Sequence, residues 1–326
     1  MKTDRLLFVW TSAEFATWDV ARGYHRALTR RGLNIRDYKL STRMRYHGRA
    51  LGPKADDLDL LSRVASENVL IEAMRHRADW VFIVSGMALH PDAIWYLRRV
   101  GVATVVLFTE SPYDDVAQRE FHDVYPEMRC FTTERTSAVN GWRYLPHAYD
   151  PDVHYPRTNG GKTSDVLLLG TLWQTRIRLL ERVDWSGITP RFIGTWVAPP
   201  TPDESSVGAY YEEGCVDNTH APEYYASALI CLNPFRAHPT AESLNPRAYE
   251  LAACKAFQLA DRRAEFDEVF GVGVVAEFGD DDPTLEDSIR YWLDHAAERR
   301  DRCEVAYRAV QPHTFDARAD TLLASL

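Results

Sequence analysis

Along the chain, short apolar runs of strand length alternate with longer stretches whose apolar residues recur every three or four positions. Arg5–Trp10 reads as a first strand. A helix over about Trp18–Arg31 follows, with Val20, Tyr24 and Leu28 on one face. Asn34–Leu40 predicts a second strand and a loop after it. Asp57–His76 has the spacing of one long helix, through Leu58, Leu61, Val64, Val69, Ile71 and Met74. Trp80–Val84 is a strand, Pro91–Val100 a helix, Ala103–Thr109 a strand and Cys130–Thr133 a short fifth strand. Such alternation predicts a parallel sheet covered by helices on both faces.

Leu145–Thr163 breaks the pattern with three prolines and two adjacent glycines, and predicts an interdomain connection. After it the alternation restarts. Strands are expected at Asp165–Gly170, Pro190–Gly194, Ala228–Leu232, Phe257–Ala260 and Gly273–Phe278. Helices are expected at Gln174–Val183, Pro222–Ser227, Asn245–Cys254, Ala264–Phe270, Leu285–His295, Ala297–Val310 and Phe315–Ser325. The expected domains are 1–150, 151–312 and a C-terminal helix, 313–326, packing back on the first. A chain of 326 residues suits two domains. In open parallel sheets, ligands bind beyond the carboxyl ends of the strands. With two such sheets, the default site is the cleft between them.

The most informative segment is A-E-S-L-N-P-R-A-Y-E-L-A-A-C, Ala241–Cys254. Asn245 is a good N-cap and Pro246 suits a first turn, so a helix starts there. Its N–H groups and Arg247 form a natural diphosphate site. Glu250, a turn further in, can accept two hydrogen bonds from a ribose diol. Glu242 stands before the helix. A surface helix with an ordinary cap has the same spacing, so the pattern gains weight only from its context.

That context is a resemblance. Glu242–Glu250 resembles the E-x7-E motif of retaining GT-B glycosyltransferases of the group 1/GT4 type. S-L-N-P-R-A-Y-E-L-A-A-C-K-A-F is similar to the CgeB-like (spore maturation protein) branch. So are F-T-E-S-P-Y-D-D (Phe108–Asp115), F-T-T-E-R-T-S-A (Phe131–Ala138), Y-L-P-H-A-Y-D-P (Tyr144–Pro151) and D-V-L-L-L-G-T-L-W-Q-T-R (Asp165–Arg176). The resemblance covers roughly residues 100–320. Lys255 departs from it, standing where the branch has glycine.

The resemblance implies a GT-B fold: α/β, with two Rossmann-like domains whose parallel sheets face an interdomain cleft. It implies transfer of a sugar from a nucleotide-diphosphate sugar, the co-substrate, to an acceptor hydroxyl, with retention and without a metal or other cofactor. Glu250 would hold the donor ribose and Glu242 would lie near the sugar. Arg247 and Arg176 would bind the diphosphate, with Asn245 starting the helix. Gly170 and Thr171 would let backbone approach the phosphates. Gly194, Trp196, Asn233 and Pro234 would line the donor pocket. Glu110, at the end of a first-domain strand, is open to two readings: contact with sugar or acceptor, or a cap before Pro112. His147 either faces the reaction or is structural.

Composition narrows the alternatives. At 45% hydrophobic and 26% charged, the chain is globular. It has no apolar run of about 20 residues and no signal-peptide pattern at Met1–Val9, so a cytoplasmic location is expected. The five cysteines, Cys130, Cys215, Cys231, Cys254 and Cys303, form no C-x-x-C pair, which argues for reduced thiols. Gly271–Ala276 fits G-x-G-x-x-A but leaves a helix and enters a strand, the reverse of a dinucleotide fingerprint. Asp280–Asp282 suggests a D-x-D metal motif or, before Pro283, a solvated turn; the turn is the expectation.

Net charge is −9, yet residues 1–54 hold twelve Lys or Arg against four Asp or Glu, +8, leaving −17 elsewhere. Lys39, Arg43, Arg45, Arg49 and Lys54, with Tyr46 and His47, fall in the expected loop. Cations interleaved with an aromatic suit a phosphate backbone and a stacked base. Arg43, Arg45, Tyr46 and Arg49 are therefore the candidate acceptor residues, and DNA bearing a hydroxylated base is a candidate acceptor. A glycan, lipid or small-molecule acceptor stays open. So does a module that binds nucleotide sugar without catalysis.

Overall fold

The computed structural model describes residues 4–12, 16–158, 161–279 and 284–326. The chain forms two compact units. Unit 1 is Met1–His147 with Phe315–Leu326, and unit 2 is Ala148–Thr314.

Unit 1 runs β1 (Arg5–Trp10), α1 (Ala16–Arg30), β2 (Asn34–Lys39), α2 (Leu40–Leu51), α3 (Leu58–Ser66), α4 (Asn68–His76), β3 (Trp80–Val84), α5 (Pro91–Arg99), β4 (Ala103–Phe108), α6 (Asp115–Val124), β5 (Arg129–Thr132) and β6 (Arg143–Tyr144). The strands pair in parallel in the order β2-β1-β3-β4-β5-β6. Alternate residues of each strand serve opposite cores. Leu7, Val9, Val81, Ile83, Val106 and Phe108 pack with Leu40, Ala65, Val69, Ile94 and Phe121 of the helices on one face. On the other, Phe82 meets Phe8 at 5.5 Å and Tyr24 of α1 at 5.5 Å.

Unit 2 runs β7 (Ser164–Leu169), α7 (Gln174–Glu181), β8 (Pro190–Gly194), β9 (Tyr211–Glu213), α8 (Ala221–Ala226), β10 (Ala228–Asn233), α9 (Pro246–Ala253), β11 (Gln258–Asp261), α10 (Ala264–Phe270), β12 (Ala276–Phe278), α11 (Leu285–Asp294) and α12 (Ala296–Val310). Its parallel sheet has the order β12-β11-β10-β7-β8-β9. Val166, Leu168, Ile230 and Leu232 pack with Ile177, Ile289 and Trp292 on one face, while Leu167, Leu169 and Cys231 meet Leu251 and Tyr225 on the other. Both units are therefore helix-covered parallel sheets, as the alternation predicts.

The chain then returns to unit 1 as α13 (Phe315–Ala324), packed on α1. Gly23 makes this approach possible: a Cβ there would lie 2.2 Å from the Phe315 ring. Arg31 donates to Asp320 at 2.6 Å and to Asp316 at 2.6 Å, and Arg129 donates to the Ser325 carbonyl at 2.6 Å.

Two expectations need correction, and one further helix was not expected. The segment after β2 is not a loop but the helix α2, which buries Leu40 and Ser41 and packs on α3. Arg, Met, Leu and Ala are good helix formers, which offsets Gly48 in its middle. Asp57–His76 is two helices, not one. They meet at Glu67, whose φ of −53° and ψ of −37° stay helical, so the break is in hydrogen bonding without a breaker residue. Asp115–Val124 is a further helix, α6, whose only buried residues are Gln118 and Phe121.

All five cysteines are free. Burial pushes the Cys130, Cys231 and Cys303 thiols up to about 12, which makes them poor nucleophiles. Gly271–Ala276 follows α10 and enters β12, so it opens no helix. Asp280–Asp282 lies outside the described residues.

Candidate functional site

In unit 2 the chain order reverses between β7 and β10, and the crevice beyond their carboxyl ends is where such sheets take ligands. Gly170 and Thr171 follow β7, Pro234 follows β10, and Gly194 ends β8. Arg176 of α7 ties the two central loops together. Its Nε and Nη2 donate to the Pro234 carbonyl at 3.0 and 2.5 Å, and its Nη1 to the Thr171 carbonyl at 2.8 Å.

The two glycines are fixed by sterics. Gly170 N donates to the Ile193 carbonyl at 2.8 Å, and a Cβ on Gly194 would lie 1.9 Å from the Gly170 carbonyl oxygen. Gly170 itself has φ +138°, and a Cβ there would stand 2.8 Å from Arg247 Nη1. The space left by the missing Cβ is thus occupied by a guanidinium. Arg247 Nη1 donates to the Leu169 carbonyl, and its Nε to the Tyr225 hydroxyl at 3.3 Å. Burial opposes the charge of Arg247, but Tyr225 and Glu250 beside it leave its pKa raised.

Asn245 caps α9, its Oδ1 accepting from Ala248 N at 3.0 Å. The same side chain exchanges hydrogen bonds with Asn233: Asn233 Nδ2 donates to Asn245 Oδ1 at 3.0 Å, and Asn245 Nδ2 to Asn233 Oδ1 at 2.9 Å. Asn233 is fully buried and also donates to Gln258 at 3.3 Å. It therefore braces the cap rather than exposing an amide. Pro246 has no N–H and the Ala248 N–H is taken, so the helix start offers fewer donors than its sequence suggests.

Glu250 is 6% exposed. Asn218 Nδ2 donates to its Oε1 at 3.0 Å and the Tyr225 hydroxyl to its Oε2 at 3.1 Å. His154 Nε2 stands 3.7 Å from Oε1. His154 Nδ1 accepts from Asp150 N at 3.3 Å, so the neutral ring carries its proton on Nε2, facing the carboxylate. Burial pushes the Tyr225 phenol well above its ordinary value, keeping it a donor. His154, Asn218 and Tyr225 were not legible as site residues. Asn218 and Tyr225 lie 32 and 25 residues before Glu250, and no local motif links them to it.

Glu242 is exposed, unlike Glu250. Its segment is anchored by Leu244 N, which donates to the buried Glu265 at 2.5 Å. Trp196 turns its indole N–H into its own loop, donating to the Ala198 and Pro200 carbonyls at 2.9 and 2.7 Å, and its ring meets Tyr211 at 5.1 Å.

In unit 1, Glu110 follows β4. Its Oε1 accepts from Thr17 in the first turn of α1 at 2.9 Å and from Thr109 at 3.1 Å, while its backbone carbonyl accepts from Tyr113 N at 2.8 Å. The carboxylate thus ties β4 to α1. His147 Nδ1 is buried without a hydrogen-bond partner. Burial, and then the charge of Arg318, lower its pKa to about 3, so the ring is neutral at neutral pH. Arg45, Tyr46 and Arg49 share an exposed face of α2, with Tyr46 67% exposed. Arg43 lies over the Tyr38 ring at 5.4 Å. Among the described residues no group of three or more His, Cys, Asp or Glu is arranged to hold a metal ion, and no helix is long and apolar enough to cross a membrane.

Comparisons with known proteins agree with this architecture. Residues 175–324 match the glycosyl transferase-like family. The spore protein CgeB of Bacillus subtilis (strain 168) is 25% identical over 280 residues, 76% of this chain and 82% of CgeB. The sucrose-phosphate synthase of Thermosynechococcus elongatus has a TM-score of 0.72 at 13% identity, covering 99% of this chain and 98% of its own. Anabaena HepE in complex with UDP-glucose has a TM-score of 0.67 at 12% identity, covering 99% and 100%. An alpha-glucosyltransferase in complex with UDP-glucose and DNA containing an abasic site has a TM-score of 0.65 at 10% identity, covering 98% of each chain. The protein therefore has the GT-B fold of glycosyltransferases, carries a glycosyl transferase-like region at 175–324, and resembles the CgeB-like branch.

Proposed function

We propose that the protein transfers a sugar from a nucleotide-diphosphate sugar to an acceptor hydroxyl, with retention, unit 2 binding the donor and unit 1 the acceptor. The observation that carries this reading is the buried Glu250 carboxylate beside Arg247 at the switch point of the unit 2 sheet. Asn218 and Tyr225 each hold one oxygen of Glu250, and the lone pairs they leave are the acceptors for a ribose diol. Arg247 is the cation for the diphosphate, with the Gly170–Thr171 backbone beside it. Arg176 acts by shaping the Thr171 and Pro234 loops.

The chemistry follows from charge. As the bond to the nucleoside diphosphate breaks, negative charge grows on the β-phosphate and positive charge on the sugar. A fixed cation at the phosphate lowers that barrier. Displacement on the face of the leaving group retains configuration and needs no strong protein base. This role suits a neutral His147, which offers a hydrogen bond to a sugar hydroxyl rather than a proton. Glu242 and Glu110 are the carboxylates assigned to the sugar and acceptor sides. No metal is part of the proposal.

For the acceptor we favour a hydroxylated base in DNA. Support comes from the exposed Arg45, Tyr46 and Arg49 of α2 and from the +8 charge of residues 1–54. The test is calorimetry with a panel of nucleotide sugars, beginning with UDP-glucose, followed by mass spectrometry of hydroxymethylated DNA. Glu250→Ala is expected to abolish donor binding with the fold intact; unchanged donor affinity overturns the reading. Tight donor binding without turnover on any acceptor, or by hydrolysis, would instead identify a binding module.

A further inference from the structure

A buried histidine stands beside the Glu250 carboxylate without sharing in the hydrogen bonds that hold it. His154 is 3% exposed, and its Nε2 is shielded from solvent with no hydrogen-bond partner among the described residues. A buried donor with nothing to donate to is uncommon, because leaving it so is costly. The ring is nevertheless firmly set. Its Nδ1 accepts from Asp150 N at 3.3 Å, and its backbone N donates to the Asp150 carbonyl at 2.8 Å, as Val153 N does at 3.0 Å. Asp150 is itself buried. This closed turn fixes both the ring and the nitrogen that carries its proton. The acceptor that faces Nε2–H is Glu250 Oε1, 3.7 Å away. That is too long for a hydrogen bond, and a shift of about 1 Å closes it.

The two oxygens of Glu250 are held unequally. Oε2 accepts from the Tyr225 hydroxyl, which is 1% exposed and is itself anchored by Arg247 Nε at 3.3 Å. Oε1 accepts from Asn218 at 3.0 Å. Asn218 belongs to Gly214–His220, a stretch outside any helix or strand in which Cys215, Asp217 and His220 are exposed. Oε1 is therefore the oxygen with the weaker support. We infer that His154 is a positioning residue for donor binding: its Nε2–H closes on Glu250 Oε1 when the donor is bound, and fixes the carboxylate in the orientation that accepts the ribose diol. Because Nε2 is shielded, His154 acts through Glu250 and does not touch the nucleotide. This rests on the reading of Glu250 as the ribose acceptor. Its consequence is specific, since the contribution of His154 exists only for a nucleotide that carries the ribose hydroxyls.

The test compares two ligands on the full chain by calorimetry. One is UDP, or whichever nucleoside diphosphate the donor panel selects, and the other is its dideoxy counterpart, which lacks both ribose hydroxyls. The proteins are wild type, His154→Asn and His154→Gln. Asparagine can offer its carbonyl to Asp150 N but is too short to reach Glu250, whereas glutamine can carry an amide N–H to the place of Nε2. His154→Asn is expected to weaken UDP about tenfold and leave the dideoxy counterpart unchanged, and His154→Gln to recover most of the loss. A second readout needs wild type alone. The Nε2-bound proton of His154, followed by NMR with isotope-labelled histidine, should move downfield with UDP and stay in place with the dideoxy counterpart; this decides the matter if both variants fail to fold. Equal weakening of both ligands in His154→Asn marks a purely structural role and overturns the inference, as does an unchanged UDP affinity or an unmoved proton. In each of these cases the Glu250 reading stands so long as wild type prefers UDP to its dideoxy counterpart. If wild type binds the two equally, or binds neither, the ribose reading of Glu250 fails and the role of His154 falls with it.

Discussion

Replacing Asn245 by alanine removes the cap on Ala248 N and both hydrogen bonds to Asn233. Losing a cap of this kind costs about 1 kcal/mol. Asn233 is fully buried, keeps only its 3.3 Å bond to Gln258, and is left with an unpaired carbonyl oxygen. That adds about 1–3 kcal/mol. The total, about 2–4 kcal/mol, corresponds to a fall of about 4–16 °C in the melting temperature of a domain of this size. Asn245→Ser separates the two parts, since serine restores the cap and cannot reach into the Asn233 exchange. The serine variant should melt between wild type and alanine. Calorimetry that resolves the unit 2 transition is the assay. An alanine variant melting within about 1 °C of wild type refutes the reasoning, and a serine variant equal to wild type refutes the part assigned to Asn233. Because α9 carries Arg247 and Glu250, the alanine variant should also bind donor more weakly.

Gly194→Ala places a Cβ against the Gly170 carbonyl, which is backbone and cannot swing away; a loss of about 1–3 kcal/mol or more is expected, and a wild-type melting temperature would show that the strand ends tolerate the shift. Tyr225→Phe strips a donor from Glu250 and an acceptor from Arg247, so stability should fall by about 1–3 kcal/mol and donor KM should rise; a change in kcat with KM intact would contradict the positioning role. His147 has a folded pKa depressed to about 3, so its contribution to stability is present above the unfolded value near 6.5 and is lost as pH falls from there towards 3; His147→Gln should flatten the acid limb of a stability profile, and an unchanged limb would exclude it. Tyr225, Tyr38 and Tyr149 are raised by burial, the last two to about 12, so their contribution is present below pH 10 and lost as pH rises through 10 towards 12; alkaline unfolding followed by phenolate absorbance checks this.

Much of the fold was legible because its strands are buried on both faces. Trp80–Val84 and Ala103–Phe108 are continuous apolar runs, and a run of that kind has few alternatives to a central parallel strand. Helices that bury little were not legible. Only Leu40 and Ser41 of α2 are buried, so its basic residues imitate a loop. The split at Glu67 leaves no glycine or proline as a marker. At the candidate site, the Asn245 cap, Arg247 and Glu250 were local and could be read from spacing. What surrounds Glu250 was not. His154 comes from the stretch read as a connection, and Asn218 and Tyr225 precede β10 and α9. Their meeting is a product of the sheet order, which brings β7, β10 and their loops together.

The return of Phe315–Ala324 to unit 1 also governs the order in which the protein completes itself during synthesis. Unit 1 leaves the ribosome first, but the face of α1 at Gly23 waits for Phe315, and Arg31 waits for Asp316 and Asp320. Those residues are translated only after all of Ala148–Thr314. The domain begun first is therefore finished last. Until then its α1 surface, including the Tyr24 ring that meets Phe315 at 5.2 Å, is an exposed apolar patch of the kind chaperones hold.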